Sequence, residues 1–381
     1  MTSETICTRL TESLGWGHER VELLHDRDSG MRAVVAIHST ALGPALGGLR
    51  LRRYAHGLPE ALDDALRLSR AMTLKAAAAG LDLGGGKAVL LDDGRDDLRA
   101  PRLAAFGRAL DALGGSYITA EDVGTTTADM DLIALQTEHV VGRAHAGRVG
   151  GDPSPATAVG VFCAIGAALH ALDGDDSLAG RRVGVVGLGK VGGRLARMLL
   201  DAGADVIGCD PDPDAFAALE GVRAAGTASL LAEPLDVLAP CALGGMIDTQ
   251  VARELRCRIV CGAANNPLSG PDAAALLAAR GILYVPDFLA NCGGLVHVDA
   301  ERHGEHDEAA VAARVAAAAE RIRDTLLAAR AEGRTPQEVA EERAWARVEQ
   351  ARERLAAAPA ASLAADPAEA STAGAEAALT G

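Results

Sequence analysis

Two lysines, Lys75 and Lys87, have the most distinctive chemistry in this sequence. The chain contains 37 lysines and arginines, yet its lysines are Lys75, Lys87 and Lys190 alone. Arginine keeps its proton near neutral pH, whereas lysine can lose its proton when its surroundings lower its pKa. Lysine retained in an arginine-rich chain therefore suggests proton chemistry, although compositional drift would also leave a few lysines.

Lys75 and Lys87 would form one site if the fold brought their amino groups into the same cleft. Two neighbouring ammonium groups lower each other's pKa, and burial adds to that effect. A lysine whose pKa is lowered toward neutrality can act as a general base at cellular pH, and Lys87 could take this role. Lys75 could stay charged and bind a substrate carboxylate. Two surface lysines on unrelated elements are the alternative, which spacing alone leaves open.

Neighbouring residues fit the hypothesis. Three glycines, 84–86, precede Lys87, and without Cβ atoms they would let a small substrate approach. Asp122 lies in the segment TAEDVGTT, at the end of a predicted strand. From there its carboxylate could exchange protons with a substrate nitrogen.

A glycine-rich loop predicts a dinucleotide site. Its first glycine would make the tight turn, its second would let the backbone approach a pyrophosphate, and its third would let helix and strand pack closely. Asp210, about 20 residues further on, would bond the adenosine ribose hydroxyls and repel a 2′-phosphate, which favours NAD over NADP. A glycine-rich turn without a cofactor is the alternative. The loop is a G-x-G-x-x-G formed by Gly187, Leu188, Gly189, Lys190, Val191 and Gly192.

Hydrophobic periodicity divides the chain into two series of elements, in keeping with about two domains for 381 residues. In the second series strands alternate with helices, which predicts a parallel sheet covered on both faces. The first series contains a hairpin over 20–37, a loop or short strand over 41–50, helices over 58–79, 101–114 and 126–139, and strands over 89–91 and 117–119. The second contains helices over 157–172, 190–202, 213–220, 248–256 and 271–280, and strands over 182–186, 205–209, 235–238, 258–261 and 282–284.

A linker and a tail complete the predicted organisation. Residues 142–155 are rich in Gly and Pro and form the predicted linker. Two long helices are predicted over 307–331 and 336–356. The Ala-rich, acidic tail over 357–381 has nothing to pack and is predicted to be disordered.

Composition excludes several classes of protein. A formal net charge of −15 is unlike the basic footprint of a nucleic-acid or anionic-membrane binder. No run of about 18 apolar residues and no secretory signal are visible, so neither a spanning helix nor export is expected. The seven cysteines contain no C-x-x-C, which favours reduced thiols in the cytoplasm. No metal motif is present, since His297, His303 and His306 are loosely spaced and read as solvated surface.

Eight ordered blocks resemble the Glu/Leu/Phe/Val amino acid dehydrogenase family, and the likeness is greatest to its leucine and valine dehydrogenases. Eight blocks in family order over about residues 20–345 are far more specific than the glycine loop alone. The blocks are GPALGGLR (43–50), MTLKAAAAGLDLGGGKAV (72–89), TAEDVGTT (119–126), DPSPATAVGV (152–161), VGLGKVG (186–192), APCALGG (239–245), CGAANNPL (261–268) and ANCGG (290–294).

The resemblance implies a role for each matching residue. Lys75 matches the lysine that binds the α-carboxylate, Lys87 the catalytic lysine and Asp122 its partner aspartate. Asn291 matches an asparagine of the cleft near substrate and nicotinamide. The resemblance also adds four residues to the predicted cofactor-binding site, in segments that flank the cofactor: Thr157, Ala242, Ala263 and Asn265.

The family fold implies an α/β architecture of two domains with a cleft between them. An N-terminal α/β substrate domain would span 1–148, and a C-terminal doubly wound Rossmann-type NAD domain would span 149–335. The helix over 336–356 would return to the first domain, and a homo-oligomer is expected. Two departures from many relatives are Asp152, where Asn is usual, and Cys292, where Ala is usual; Cys292 would alter the cleft wall.

One position argues for the substrate class. Glutamate dehydrogenases resemble GP-x-K-GG-x-R in the first block, and here Leu46 takes the place of the lysine. An apolar residue cannot compensate a buried carboxylate, at a cost of several kcal/mol, so glutamate is disfavoured. An apolar pocket is predicted from Leu46, Gly47, Met72 and Ala120, with Val315 and Ala318 as further candidates.

The sequence thus predicts NAD-dependent, reversible oxidative deamination of branched-chain L-amino acids to 2-oxo acids and ammonia. Valine, leucine and isoleucine differ by a methylene or its position, worth about 1–3 kcal/mol, so the pattern does not separate them. Phenylalanine or another apolar amino acid is an alternative substrate. A non-catalytic NAD-binding regulator is a third reading, against which the intact lysine pair argues.

Overall fold

Two open α/β sheets follow each other along the chain in the computed structural model, which describes residues 17–143, 150–305 and 307–357. The first sheet has the order β1-β2-β4-β3-β5. β1 and β2 form the predicted antiparallel hairpin, β2 is antiparallel to β4, and β3 runs parallel to both β4 and β5. Its strands are β1 (Arg20–Asp26), β2 (Met31–Ser39), β3 (Ala45–Arg52), β4 (Gly84–Leu91) and β5 (Tyr117–Glu121).

Helices cover both faces of this sheet because its strands bury both sets of alternating side chains. On β2, Val34 and Ala36 pack against the helix α1 (Leu58–Ala78). The intervening residues of β2 pack with the side chains of α2 (Arg99–Asp111) and α3 (Thr127–Ala134). Strand β2 is therefore apolar on both faces, as buried strands are, whereas the edge strand β1 has no fully buried residue.

The triple glycine belongs to β4, and the prediction that it makes room for a substrate was wrong. A Cβ on Gly85 would lie 2.1 Å from the backbone nitrogen of Thr73 on α1. A Cβ on Gly86 would lie 2.5 Å from the ring of Tyr117 on the other face. The glycines therefore let a helix and an aromatic ring approach the sheet closely.

The second sheet is all parallel and has the order β11-β10-β9-β6-β7-β8. This is the doubly wound order that binds dinucleotides, with its switch point between β6 and β9. It confirms the predicted fold class. Its strands are β6 (Arg182–Val186), β7 (Asp205–Cys209), β8 (Arg223–Ala224), β9 (Leu235–Pro240), β10 (Cys257–Val260) and β11 (Leu283–Tyr284).

The helices of this region include one, α4, that is long and apolar enough to cross a membrane by composition alone. α4 packs against α10 and α11, and Val161, Ile165 and Leu169 on it belong to the core. Its apolar character is thus that of a core helix. The helices are α4 (Ser154–Asp173), α5 (Gly192–Asp201), α6 (Thr227–Ala232), α7 (Thr249–Glu254), α8 (Pro271–Ala279), α9 (Asp287–Ala290), α10 (Gly293–Arg302), α11 (Glu308–Glu332) and α12 (Pro336–Ala357).

Several predicted elements differ from the observed ones. The helix predicted over 126–139 ends at Ala134, after which single 3₁₀-type bonds such as Gln136 N–H to Ile133 carbonyl replace the helical pattern. The helix predicted over 213–220 is a 3₁₀ turn, Pro213–Phe216. The sequence did not predict β8, α6, α9 and α10.

The C-terminal helix packs against the first sheet's helix. Arg347 of α12 donates from Nη1 to the Leu81 carbonyl at 2.7 Å and from Nη2 to Asp82 at 2.8 Å. The Trp345 ring lies 5.7 Å from the His38 ring. The predicted domain boundary between 148 and 149 lies within residues 144–149, which are outside the described residues. Of the tail predicted over 357–381, Ala357 is the last residue of α12, and residues 358–381 are outside the described residues.

Candidate active site

Lys87 and Asp122 form a buried ion pair across the first sheet. Lys87 lies on β4 and is 5% exposed, and its Nζ is 2.9 Å from Oδ2 of Asp122, which directly follows β5. Strand β3 runs between them, and a Cβ on its Gly48 would lie 2.7 Å from the Asp122 Cβ. Glycine at 48 therefore leaves the space through which the pair meets.

Arg50 is a third member of this site that the sequence did not reveal. Its Nε donates to Oδ2 of Asp122, the oxygen that pairs with Lys87, at 2.8 Å. Its Nη1 donates at 2.8 Å to Asp64, which also accepts the Tyr54 hydroxyl at 2.8 Å. Arg50 lies two residues after Gly48, so both are on the same face of β3. This two-residue spacing is the sequence signal that could have predicted Arg50 as a site residue.

Burial and the neighbouring charges affect the protonation of Lys87 and Asp122 in different ways. Burial lowers the pKa of Lys87, and the Arg50 cation adds to that effect, while Asp122 opposes it. For Asp122, burial acts to raise the pKa, but Lys87 and Arg50 outweigh it and hold the pKa below its usual range. Asp122 is therefore an anion, and Lys87 gives up its proton more easily than a free lysine does.

Lys75 lies in the last turn of α1, half-buried, where this helix contacts α9 of the second region. Burial lowers its pKa, whereas Cys292 and Asp287 act to raise it. Burial and mutual repulsion with Lys87 were the two predicted causes; burial is the larger one found, but Lys87 is not among the groups that shift the pKa of Lys75. Each lysine has its own buried surroundings.

One buried apolar cluster contains the side chains predicted for the substrate pocket, and it joins both regions of the chain. Leu46 of β3 is 2% exposed and packs in the same cluster as Ala120 of β5 and Met72 of α1. The cluster also contains Val315 and Ala318 of α11, and Cys292.

Gly47 differs from the other predicted pocket residues. A Cβ there would lie 1.7 Å from the Gly86 carbonyl oxygen, and its own carbonyl accepts the Tyr117 hydroxyl. Gly47 therefore contributes backbone alone, at a close approach of two strands.

The glycine loop has the geometry that a dinucleotide requires. Gly187 adopts φ +89°, a left-handed value that favours glycine. A Cβ on Gly189 would meet no atom within 4 Å, whereas a Cβ on Gly192 would lie 1.9 Å from the Gly187 carbonyl oxygen. The first glycine makes the turn, the second leaves an open cradle, and the third packs helix α5 on the loop. These residues fit a pyrophosphate at the α5 N-terminus.

The other predicted cofactor residues surround this loop. Asp210 Oδ2 accepts the Leu188 N–H at 2.7 Å, which fixes the carboxylate at the end of β7. The Gly187 Cβ position lies 2.8 Å from the Ala242 Cβ. Lys190 is exposed, and Val191 precedes α5 directly. Thr157 donates its hydroxyl within its own helix, to the Pro153 carbonyl at 3.0 Å.

Asn291 joins the loop after β10 to the end of α9. Its Nδ2 donates to the Ala263 carbonyl at 3.1 Å and to Asn265 Oδ1 at 2.9 Å. Its own Oδ1 is buried and has no hydrogen-bond partner in the described part of the chain. Asn291, Ala263 and Asn265 therefore form one group with a free acceptor.

No cluster of His, Cys, Asp or Glu within the described residues could hold a metal ion. Of the histidines predicted to be solvated, the His303 side chain is 55% exposed, but His297 is half-buried on α10, which corrects that prediction. His306 lies outside the described residues.

Alanine substitutions at two glycines should separate cofactor binding from folding. We expect Gly189→Ala to leave the melting temperature near the wild-type value but to weaken NADH binding about tenfold or more, because the added methyl fills an open cradle. We expect Gly192→Ala to destabilise the fold by about 1–3 kcal/mol through overpacking against Gly187. Thermal unfolding and NADH fluorescence titration measure both. Equal effects of the two substitutions on NADH affinity, with equal melting temperatures, would contradict this assignment.

The doubly wound sheet, the glycine cradle and the buried lysine–aspartate pair define an NAD-dependent dehydrogenase as the class of protein. Residues 18–139 match the model of the Glu/Leu/Phe/Val dehydrogenase dimerisation domain, and residues 214–355 match that of glutamate/leucine/phenylalanine/valine dehydrogenase. Residues 169–242 match the NAD-binding domain of D-isomer-specific 2-hydroxyacid dehydrogenases. The chain belongs to the Glu/Leu/Phe/Val dehydrogenase family, which confirms the resemblance read from its sequence.

Similar proteins cover most of the chain. Valine dehydrogenase of Streptomyces virginiae is 46% identical, over 82% of this chain and 87% of its own. Leucine dehydrogenase of Geobacillus stearothermophilus is 44% identical, over 78% of this chain and 81% of its own. The crystal structure of L-tryptophan dehydrogenase from Nostoc punctiforme superposes with a TM-score of 0.80 at 34% identity, covering 90% of this chain and 99% of that one.

Proposed function

We propose that this protein catalyses the reversible, NAD-dependent oxidative deamination of branched-chain L-amino acids, giving a 2-oxo acid and ammonia. The observation that carries the proposal is the buried Lys87–Asp122 pair on the same sheet as an apolar cluster that contains Leu46. The valine and leucine dehydrogenases among its relatives support the same chemistry.

Lys75 holds the substrate in this proposal. Its ammonium group binds the α-carboxylate and fixes the direction in which Cα faces. Its place on α1, where α1 contacts α9, puts this anchor next to the second region that holds the cofactor. Holding reactants in a productive geometry can remove several kcal/mol from a barrier, about 7–11 kcal/mol in the best cases.

Lys87 and Asp122 handle the protons. Bound NAD supplies the acceptor for the hydride that leaves Cα of the amino acid. Lys87, as a neutral amine, accepts a proton from the water that adds to Cα of the resulting imino acid. Asp122 carries protons to and from the substrate nitrogen, which then leaves as ammonia. Arg50 holds the Asp122 carboxylate in place and keeps it ionised.

Leu46 sets the substrate class. Its side chain is buried among Met72, Ala120 and residues of α10 and α11, so an aliphatic side chain finds apolar surroundings there. A glutamate carboxylate in the same place would lose its hydration without gaining a cation, at a cost of several kcal/mol.

Two further features complete the proposal. The Asp210 carboxylate at the end of β7 favours NAD over NADP, because it repels a 2′-phosphate. We place the protein in the cytoplasm, since the six described cysteines are free, and we expect a homo-oligomer. The match of residues 18–139 to a dimerisation domain supports that expectation.

A panel of amino acids tests the proposed function. Valine, leucine, isoleucine, phenylalanine and glutamate are each supplied with NAD, and NADH formation is followed by its absorbance. We expect the three branched-chain substrates to have the highest kcat/KM and glutamate the lowest. If phenylalanine is the best substrate, the result would support the alternative function, a phenylalanine dehydrogenase. A relative with that name, from Bacillus thermotolerans, is 38% identical to this chain. NADH binding without turnover on the whole panel would instead indicate a non-catalytic regulator.

A further inference from the structure

The short helix α9 contacts the loop over 261–266 at two points, and one of them has no role in the site described above. Asn291, at the end of α9, bonds Ala263 and Asn265. Asp287, at the start of α9, accepts the backbone N–H of Asn266 through Oδ2 at 2.7 Å. The loop is therefore held from both ends of the same helix.

Asn266 has an unusual backbone conformation at the place where Asp287 holds it. Its φ is +48°, the only positive value for a non-glycine residue in the described part of the chain. Asparagine tolerates the left-handed region better than most residues, but that region is still sparsely populated. Pro267 follows and disfavours the right-handed helical alternative. A hydrogen bond to the Asn266 N–H thus selects one orientation of this peptide.

Asn266 is in direct contact with the neighbouring loop over 241–245. The Asn266 carbonyl accepts the Gly245 N–H at 2.8 Å. A Cβ on Gly244 would lie 2.6 Å from the Asn265 carbonyl oxygen, so the two loops are in close contact. The same loop carries Ala242, which packs beside Gly187 of the glycine loop. A displacement at Asn266 would therefore reach the wall of the dinucleotide cradle.

We propose that Asp287 is a positioning residue for the cofactor: by binding the Asn266 N–H, it holds the 261–266 loop so that Asn265 and Asn291 face the nicotinamide half of the site. The proposal deepens the proposed function and rests on it for the identity of the cofactor. Asp287 also opposes the burial that lowers the pKa of Lys75, so the carboxylate that orders the cofactor loop acts in favour of the charged form of the substrate anchor.

NADH binding measured by fluorescence tests the proposal without requiring turnover. Asp287→Ala removes the acceptor and is expected to raise the NADH Kd about tenfold, in line with a lost hydrogen bond to a charged group. Asp287→Asn keeps an acceptor oxygen and should stay within about threefold of wild type. The matched control is Asp272→Ala, because Asp272 is an exposed acid in the first turn of α8. It should bind NADH as wild type does. In steady-state assays, Asp287→Ala should raise KM for NAD more than it lowers kcat.

Repeating the measurement in a protein that carries Asn266→Gly separates a positioning role of Asp287 from a general loss of structure. Glycine adopts positive φ readily, so Asn266→Gly should reduce the dependence on Asp287. We expect Asp287→Ala to weaken NADH binding by threefold or less in that background. A tenfold loss in both backgrounds, or wild-type affinity in Asp287→Ala, would overturn the proposal.

If Asp287→Ala does not fold, Asp287→Glu, which keeps the charge and moves the oxygens by one methylene, should still weaken binding. Wild-type NADH affinity in that variant would overturn the proposal. A failed amino acid panel would not affect these binding results, so failure of the proposed function and failure of the positioning role are distinguishable.

Discussion

Replacing Lys87 with alanine should lower kcat for valine and leucine about 10²–10⁴-fold, the typical contribution of a general acid–base group. NADH affinity should stay near that of wild type, because Lys87 lies on the first sheet and the glycine cradle follows β6 of the second sheet. Lys87→Arg is the sharper variant, since arginine keeps the positive charge beside Asp122 but cannot lose its proton. Steady-state kinetics with saturating NAD, together with NADH titration, measure both effects.

The loss should be specific to proton transfer. Arg32→Ala, which removes an exposed cation from β2 beside β4, is the control and should keep wild-type kcat. Because burial and Arg50 lower the pKa of Lys87, kcat for deamination should rise with pH through a value below the ordinary lysine pKa of 10.5. That rise should disappear in Lys87→Ala. If Lys87→Arg were as active as wild type, a fixed charge rather than a removable proton would be required.

Lys75→Gln should raise KM for the amino acid about 30-fold or more, with a smaller change in kcat. Truncating one member of a buried charge pair costs about 2–5 kcal/mol, and each 1.4 kcal/mol corresponds to a factor of ten. The glutamine keeps hydrogen-bond donors but removes the charge that binds the α-carboxylate. Steady-state kinetics over a range of valine concentrations, with NADH affinity as the reference, measure the change.

Arg70→Gln on the same helix is the matched control for Lys75→Gln. Arg70 lies over the Trp345 ring, with its Cζ 4.8 Å from the centroid, and is exposed. Its loss should leave KM for valine unchanged. Comparable KM values in Lys75→Gln and wild type would show that another group binds the carboxylate.

Local patterns predicted the cofactor loop well. Gly187 and Gly192 are required by a turn and by contacts within a few residues or with the neighbouring 241–245 loop, whereas Gly189 leaves the cradle open. The sequence also predicted Lys87 and Asp122 as partners, through the family blocks that contain them. The predicted bounds of β6 and β7 are the observed ones, because continuous apolar runs between turn residues define buried strands.

Other features depend on contacts between distant segments, which a linear pattern does not display. Arg50 and Asp64 join the site only because β3 lies beside β5 and under α1. The glycines before Lys87 were misread for the same reason, since their neighbours Thr73 and Tyr117 come from elsewhere in the chain.

Helix α10 was missed because it begins with two glycines, which favour turns in a sequence. A Cβ on the first of them, Gly293, would lie 2.1 Å from the Ala156 carbonyl oxygen of α4. The close packing of two helices requires glycine there, although glycine weakens the helical signal.

Product stoichiometry tests the central claim most directly. The purified protein is incubated with valine and NAD at alkaline pH, and NADH, ammonia and the 2-oxo acid are measured in the same samples over time. Oxidative deamination predicts that the three products accumulate in equal amounts, and that none forms with Lys87→Ala above a trace. NADH without an equal amount of ammonia, or no NADH from any branched-chain substrate by a protein that binds NADH, would contradict it.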